Sequence, residues 1–348
     1  MPNKLKFISL FLGTLLLFIS TQAISALPGE SIILDPNTGD YTLTYWDSDG
    51  PNARIRRAVY VPPTKIDPLL KSTFKFDDDS EIVYSYRITN GQKSRQSLIT
   101  MLFDPISNIV SSTPLPTRFQ DVDLATITQI DRAAVSAITT PEYWIGRSTT
   151  SRAGGLRIGW SYRDLRNDTD GLLPNETQTG FGFSSKDIPG IGIAQFQGNA
   201  PVPMYSGEGP IGELATEFAP IEQNDVVTRN AAVPTIRVPA PFDAAVLLDR
   251  IQTHMHTWIG MKLLDTTFSA QLDHYFQTAT DAYRNQGQAG NGQVARILAL
   301  LERQYEELER SDEEQVKKKS AVPAKIDKLA ALVLYFDLKY VMQRASGR

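Results

Sequence analysis

The sequence predicts an α+β protein in which an N-terminal antiparallel β-sandwich is followed by a C-terminal antiparallel helical bundle. From residue 31 to about residue 198, apolar residues alternate with polar ones in short runs, which is the period of a half-buried strand. After Pro241 the apolar residues recur every three or four positions, which is the period of an amphipathic helix. Prolines and glycines are concentrated between these two parts and separate the two patterns.

The first part contains short segments rich in β-branched and aromatic residues, separated by turns of Gly, Pro, Asn and Asp. Asn90-Gly91 favours a reversal of the chain, and the polar residues before Ser97 indicate a loop longer than a two-residue hairpin. No helical pattern long enough for βαβ crossovers separates the segments, so we expect antiparallel connections. Residues 121–138 are compatible with a helical turn or with a strand, and their Ala-rich centre at 132–137 slightly favours a helix. The predicted strands lie at 31–34, 41–46, 58–61, 82–89, 96–103, 156–162 and 177–183.

Helices are predicted for the last part of the chain. Before them, residues 206–241 form a Pro/Gly-rich region, for which we predict a final strand at about 225–238 and then a stiff linker. The four apolar stripes that predict these helices lie at 247–259, 268–283, 294–308 and 326–341. Short connections between the helices favour antiparallel neighbours.

A run of mixed charges lies at 309–319, between the third and fourth stripes. It is predicted to be a solvated helix extension, with a partner-docking surface as the alternative.

The N-terminal residues indicate export. Lys4 and Lys6 precede an apolar run at 7–19, and small residues follow it. This pattern predicts a signal peptide at residues 1–26 and a periplasmic or extracellular location. A retained transmembrane anchor is the alternative, which the length of the run disfavours because about 20 apolar residues are needed to span a bilayer. The predicted domains that follow are a β-sandwich at 27–205, the Pro/Gly-rich strand and linker at 206–241, and a helical bundle at 242–348.

The composition excludes several classes of protein. The chain has no cysteine, which excludes disulfides and thiol catalysis. Its formal net charge is −4 and its acidic and basic residues are mixed, so the sequence shows no basic segment of the kind that binds nucleic acid. No segment after the signal is long and apolar enough to cross a bilayer, since even residues 329–342 are interrupted by Asp337 and Lys339. We therefore expect no nucleic acid partner and no membrane span in the mature chain.

Residues suited to catalysis are few. The three histidines are His254, His256 and His274, all in the predicted helical part. His254 and His256 are two positions apart, so on a helix they point in different directions and cannot share a metal ion. No Gly-x-Ser-x-Gly motif of a nucleophile elbow is present. We predict no catalytic residue and no cofactor.

Clustered carboxylates are candidate ligands for a calcium ion. Asp47-Ser-Asp-Gly50 and Asp168-Thr-Asp-Gly171 are Asp-x-Asp-Gly turns, and a third acidic cluster lies at 77–81. A full calcium loop needs further oxygen donors and a glutamate at a set distance, which are missing. Asx turns at strand ends explain the same residues, so we predict no metal site.

Aromatic residues are the candidate ligand contacts. Tyr45, Trp46 and Trp144, with Tyr143 and Trp160, could provide a platform for stacking. Such residues more often belong to the core, and Trp160 on its predicted strand is the one most expected to be buried. The predicted ligand-binding residues are Tyr45, Trp46 and Trp144.

Several motifs resemble known modules of exported bacterial proteins. Gly159-Trp-Ser161, the glycine- and proline-containing turns at 171–174 and 189–190, and the strand at 180–185 resemble the second half of an uncharacterised β-sandwich module. The segment 84–90, with Ser94-Arg-Gln-Ser97, is similar to another motif pair of that module. Residues 271–279 and 294–305 resemble the FIMAH domain, a small helical module at the ends of exported bacterial proteins, to which an accessory or binding role is attributed. The resemblance implies a location and an architecture, and it implies no catalytic residue.

These observations predict a function in outline. We expect an exported, non-catalytic binding or structural protein of the periplasm or cell exterior, with an unidentified protein or glycan of the cell envelope as its partner. The alternative is a carbohydrate-active hydrolase that uses paired carboxylates, because the separation of two acids is set only in three dimensions.

Overall fold

Twelve strands in three antiparallel sheets and five α-helices form the described part of the chain. The computed structural model describes residues 27–48, 50–76, 81–106, 138–150, 156–162, 171–199, 210, 212–222, 226–315 and 325–347. The strands are β1 (Ser31–Leu34), β2 (Tyr41–Trp46), β3 (Ile55–Tyr60), β4 (Pro68–Phe76), β5 (Ile82–Asn90), β6 (Leu98–Ile106), β7 (Ile138–Thr139), β8 (Trp144–Thr150), β9 (Leu156–Tyr162), β10 (Thr177–Ser185), β11 (Ile188–Gly198) and β12 (Val227–Ile236). The helices are α1 (Gly212–Glu222), α2 (Ala244–Gly260), α3 (Thr266–Gln286), α4 (Gly290–Gln315) and α5 (Lys328–Ala345), with one 3-10 turn at Gly287–Ala289.

The described residues form two compact units. One contains the described residues within 27–60 and 210–222, and the other contains the described residues within 61–199 and 226–347. The first unit holds the sheet β1-β2-β3 and helix α1. In it, Tyr60 is buried and its ring lies 4.9 Å from that of Phe218 on α1, in a T-shaped arrangement. The second unit holds the other two sheets and helices α2 to α5.

Two sheets of the second unit contact each other through aromatic side chains. Their strand orders are β4-β5-β10-β7 and β12-β11-β6-β9-β8. Every second residue of β5 is buried, as the alternation in its sequence predicts. Tyr86 of β5 lies 4.6 Å from Phe103 of β6, and Trp160 of β9 lies 5.7 Å from Phe181 of β10, measured between ring centroids. These contacts make the aromatic residues the centre of the core between the sheets.

Helices α2, α3 and α5 begin at aspartates that act as N-caps. The side chains of Asp243, Asp265 and Asp327 each accept a hydrogen bond from a backbone N–H in the first turn of the helix that follows. The helices contact one another in sequence from α2 to α5, and α5 also contacts α2. The predicted apolar stripes coincide with these four helices, and α4 continues to Gln315, into the mixed charge run.

The hydrophobic core of the second unit continues from the sheets into the helices. Buried residues of β5, β6 and β9 belong to the same cluster as buried residues of α2 and α5. Phe336 of α5 lies 4.9 Å from Phe74 and 4.7 Å from Phe76 of β4, measured between ring centroids. The core thus extends across Pro241, where the sequence pattern changes from strand to helix. The predicted domain boundaries stay predictions.

The α+β class is confirmed, with all sheets antiparallel, and the final strand predicted at about 225–238 is observed as β12. Helix α1 lies in the Pro/Gly-rich region before that strand, where no helix is predicted. The prolines of the region obscured the spacing of Leu214 and Phe218, which are four residues apart and both buried. Within the described ranges, none of the helices combines the length and apolarity that crossing a membrane requires. The signal peptide at 1–26 and the possible helix at 132–137 lie outside the described residues.

Candidate binding site

The three predicted ligand-binding residues lie in different surroundings. Tyr45 and Trp46 are neighbours on β2, so they point to opposite faces of its sheet. Tyr45 is buried, and Trp46 is half-buried with its indole N–H donating to the Pro28 carbonyl at 3.1 Å. Trp144 of the second unit is buried, with its ring 5.0 Å from Phe181 and 5.4 Å from Tyr162. The ligand-binding role of these residues stays a prediction, and Trp160 is buried as expected.

Two histidines are engaged in hydrogen bonds. Nε2 of His254 accepts from the Ile191 backbone N–H at 2.9 Å, so the ring of α2 is bonded to β11. Burial is the main cause that lowers the pKa of His254, and the neutral ring then carries its proton on Nδ1. Gly190 permits this approach, because a Cβ there would collide with His254 and Thr235. His256 pairs with Asp273 at 2.6 Å on the surface. His254 therefore joins the helices to the sheet.

A second groove, of about 410 Å³, lies beside His254, between β12 and α2. Its polar groups bond mainly to their own scaffold. Arg250 Nη1 donates to the Arg237 carbonyl at 2.7 Å, and Thr253 Oγ1 donates to the Asp249 carbonyl at 2.8 Å. Asp249 also accepts from Arg284 at 2.6 Å. The groove is best explained by the attachment of α2 to the sheet.

The motif at 84–97 that resembles an exported sandwich module forms a buried hydrogen-bond network. Asn90 Nδ2 donates to the carbonyls of Gln96 and Leu172 at 2.9 and 2.8 Å. Its Oδ1 accepts from Ser94 Oγ at 2.6 Å, and Ser94 Oγ accepts from the Asp67 backbone N–H at 2.7 Å. These contacts hold the loop between β5 and β6 against the neighbouring turns. The motif residues thus have a structural role.

The acidic turns provide backbone contacts. Asp47 accepts from the Arg54 backbone N–H and from Arg56, each at 2.9 Å, and these contacts lower its pKa. The acidic residues at 77–79 and 168–170 lie outside the described residues. Among the residues that the structure describes, no group of three or more His, Asp and Glu side chains could hold a metal ion.

An apolar groove of about 450 Å³ lies between α4 and α5. Leu301, Glu302, Tyr305 and Glu306 line it from α4. Ala331, Leu332 and Tyr335 line it from α5. Leu301 and Ala331 are buried and form its floor, whereas Tyr305 is 38% exposed and Leu332 is 41% exposed. An open groove with apolar and aromatic walls can receive apolar side chains of a partner.

Carboxylates lie in the wall of this groove, which we call the α4/α5 groove. Of the seven described residues that line it, two are glutamates and none is basic. The Tyr335 hydroxyl donates to Glu302 Oε1 at 2.9 Å, which ties the two walls together. The Lys339 ammonium lies 4.5 Å from the centre of the Tyr335 ring. That contact is a cation–π interaction and brings a cation to the aromatic wall of the groove.

Sequence reasoning missed this site, although a signal was present. Tyr305 belongs to the predicted core stripe of α4, and that stripe is buried only in part. Leu332 and Tyr335 fall outside the main predicted stripe of α5, so this helix carries apolar residues on more than one face. A helix that is apolar on several faces needs more than one covering surface. The excess apolar width of α5 was therefore the available signal.

Comparisons with protein-family models, with curated proteins and with solved structures found no match to this chain. The resemblance to an exported sandwich module and to FIMAH stays a prediction.

Proposed function

We propose that the chain is an exported, non-catalytic binding or structural protein of the periplasm or cell exterior, and that the α4/α5 groove is its partner site. In this proposal the two sheets of the second unit are a β-sandwich and helices α2 to α5 are an antiparallel bundle. The observation that carries the proposal is the open groove, in which Tyr305 and Leu332 keep more than a third of their surface exposed.

The groove supports a binding role through its composition. When a partner covers the exposed aromatic and aliphatic side chains of a concave surface, their burial stabilises the complex by about 25 cal/mol for each Å² of apolar area removed from water. Tyr305 and Tyr335 add rigid aromatic area, which is enriched in binding sites because few rotatable bonds have to be fixed. The polar groups of His254 and Asn90 are engaged in contacts within the fold, so they support a scaffold rather than a reaction.

A thermal-shift screen of residues 27–348 against peptides, glycans and divalent ions, with and without a chelator, tests the proposal. A ligand that prefers the native state raises the melting temperature. Hits at the groove should be lost in Leu332→Ser, which removes an exposed apolar wall, and kept in Leu69→Ser, a matched change at an exposed leucine of β4. Hits that both variants keep would place binding elsewhere. Release of product from a glycan by the wild-type chain would contradict a non-catalytic role.

The location is tested separately. Residues 1–26 fused to a reporter that is active only after export should direct the reporter out of the cytoplasm. A matched fusion in which Lys4 and Lys6 are replaced by glutamates should export less, because the positive charges precede the apolar run of a signal peptide. Cytoplasmic retention of the wild-type fusion would contradict the proposed location.

A further inference from the structure

We propose that protonation of His254 breaks the hydrogen bond that joins helix α2 to strand β11, so that this junction opens locally in acid. Opening of the junction is a regulatory property of the second unit and is separate from partner binding at the α4/α5 groove. Histidine suits such a role, because it is the side chain whose charge ordinarily changes between about pH 5 and pH 8.

The hydrogen bond at the junction requires a neutral ring. Nε2 of His254 accepts from the Ile191 backbone N–H at 2.9 Å. A protonated ring carries hydrogen on both nitrogens and has no acceptor, so two N–H groups would then point at each other. The Thr235 hydroxyl of β12 lies 3.4 Å from the same nitrogen, and its oxygen can accept from the protonated ring. His254 thus has one partner on β11 when neutral and another on β12 when charged.

The ring is closely packed in the closed junction. The backbone of Gly190 approaches it on the strand side, where a Cβ would collide with His254 and Thr235. On the helix side, the buried Trp258 ring lies 5.9 Å away between ring centroids in a T-shaped arrangement. Burial lowers the pKa of His254, because a charged ring would lose hydration in this position. The closed junction therefore favours the neutral ring.

The charges around His254 also oppose its protonation. Strand β11 contains no titratable residue. Arg237, which follows β12, and Arg250 of α2 line the groove beside the ring, and their positive charges disfavour a further cation. The Asp249 carboxylate in the same groove is paired with Arg284 of α3 at 2.6 Å.

Further charged groups lie on the elements that contact α2. They include Arg229 of β12, which pairs with Asp67, Asp273 of α3, which pairs with His256, and Asp337 of α5, which is fully buried. Wild type and a variant at position 254 share these groups. A difference in pH dependence between the two chains therefore isolates His254.

The Ile191 amide reports on the junction, because its hydrogen is the one that His254 accepts. Its hydrogen exchange is measured by NMR between pH 5 and pH 7 and corrected for the intrinsic exchange rate. In the open junction His254 gains a proton near its usual pKa of 6.5, whereas the closed junction resists protonation. We expect the protection of Ile191 to fall below about pH 6.5 by up to about tenfold per pH unit, until His254 of the closed junction is also protonated.

Urea at low concentration distinguishes local opening from unfolding of the whole unit. A local opening exposes little surface, so exchange of the Ile191 amide should not change with urea. The slowest amides of β5 exchange through global unfolding, and their exchange should become faster with urea. If the Ile191 amide in acid showed the same urea dependence as the β5 amides, acid would unfold the unit as a whole and the inference would be overturned.

His254→Gln keeps the acceptor and removes the titration, since a carboxamide oxygen can take the place of Nε2 and does not gain a proton in this range. Protection of the Ile191 amide should then vary by no more than about twofold between pH 5 and pH 7. His256→Gln is the matched control, because it removes an exposed histidine from the same helix and should keep the fall seen in wild type. A fall that His254→Gln retained would assign the acid sensitivity to another group and reject the inference.

NMR of the wild-type ring tests the inference without any variant. At pH 7 the side-chain nitrogens of His254 should show the proton on Nδ1, and on lowering the pH the Nε2 signal and the Ile191 amide signal should change with one midpoint. A proton on Nε2 at pH 7, or protection of Ile191 that stays constant down to pH 5, would overturn the inference.

Discussion

The Asp337 carboxyl on α5 is fully buried, and neither of its oxygens has a hydrogen-bond partner among the described residues. Burial raises the pKa of Asp337 well above its usual value, because a carboxylate loses its hydration there. Burial is also the main cause that raises the pKa of Tyr84 of β5, followed by the charges of Tyr86, Asp337 and Asp187. Tyr340 lies one turn further along α5, and burial raises its pKa too. The surroundings of Asp337 therefore favour the protonated carboxyl.

The raised pKa of Asp337 predicts that the stability of the folded chain decreases as pH rises. In the unfolded chain Asp337 loses its proton near its usual pKa of 3.8, whereas the folded chain keeps the proton until a higher pH. Unfolding therefore releases a proton, and the free energy of unfolding decreases with pH by up to about 1.4 kcal/mol per unit above that value. Asp337→Asn removes this dependence. We expect its stability, relative to wild type, to increase as the pH is raised above about 4 in urea unfolding experiments, until Asp337 of the folded wild-type chain loses its proton.

Glu142→Gln is the matched control for Asp337→Asn, because it removes one carboxyl from an exposed position in the same unit. Its effect on stability should change little over the same pH range. A stability difference between Asp337→Asn and wild type that stays constant with pH would show that the Asp337 pKa is not raised in the folded chain.

At the scale of elements, the loop between β5 and β6 is fixed by side chains rather than by a tight turn. Asn90 ends β5 with its backbone N–H donating to the Glu176 carbonyl and its side chain donating to Gln96 and Leu172. A buried amide whose donors and acceptor are all bonded specifies one loop conformation, since any other would leave polar groups unpaired. The loop thereby joins β5, β6 and the turn before β10.

Asn90→Ala should destabilise the protein by about 2–4 kcal/mol, because it removes three hydrogen bonds and leaves the partners buried. Thr89→Ala is the neighbouring control. The Thr89 hydroxyl makes one exposed contact, to the Thr177 hydroxyl at 2.7 Å, so we expect Thr89→Ala to lower the free energy of unfolding by about 0.5 kcal/mol. Urea unfolding of both variants gives the comparison, and equal effects would contradict the structural role of Asn90.

The elements differ in how far their sequences predict them. The alternation of apolar and polar residues was sufficient to predict β5, and the apolar stripes were sufficient to predict α2 to α5. Burial on one face repeats with the period of the element, so the sequence alone shows it. The longer loop after Asn90 was also predicted and is observed, but the contacts of Asn90 with Leu172 join residues 82 positions apart. The bond between His254 and Ile191 spans 63 positions in the same way. Local patterns carry no information on such distant partners, and the α4/α5 groove depends on two helices whose packing the pattern does not specify.

At the scale of the molecule, the second unit joins sheets and helices through one core. His254 bonds α2 to β11, and Phe336 of α5 packs on Phe74 and Phe76 of β4. Asp187 strengthens the same junction, since its carboxylate accepts from the Val238 backbone N–H and its carbonyl accepts from the Tyr84 hydroxyl. Elements that share a core in this manner lose their packing together when one of them opens.

We therefore expect the sheets and helices of the second unit to unfold as one cooperative unit. Leu338→Ala on α5 deletes a fully buried side chain and should cost about 2–5 kcal/mol. Native-state hydrogen exchange should then show a similar loss of protection in the slowest amides of β5, β6, α2 and α5. Leu332→Ala, on the exposed side of the same helix, should change protection in both regions much less. If Leu338→Ala lowered protection in the helices and left the strands unchanged, the helices would be a separate folding unit, as the predicted bundle domain at 242–348 requires, and the shared core would not couple them to the sheets.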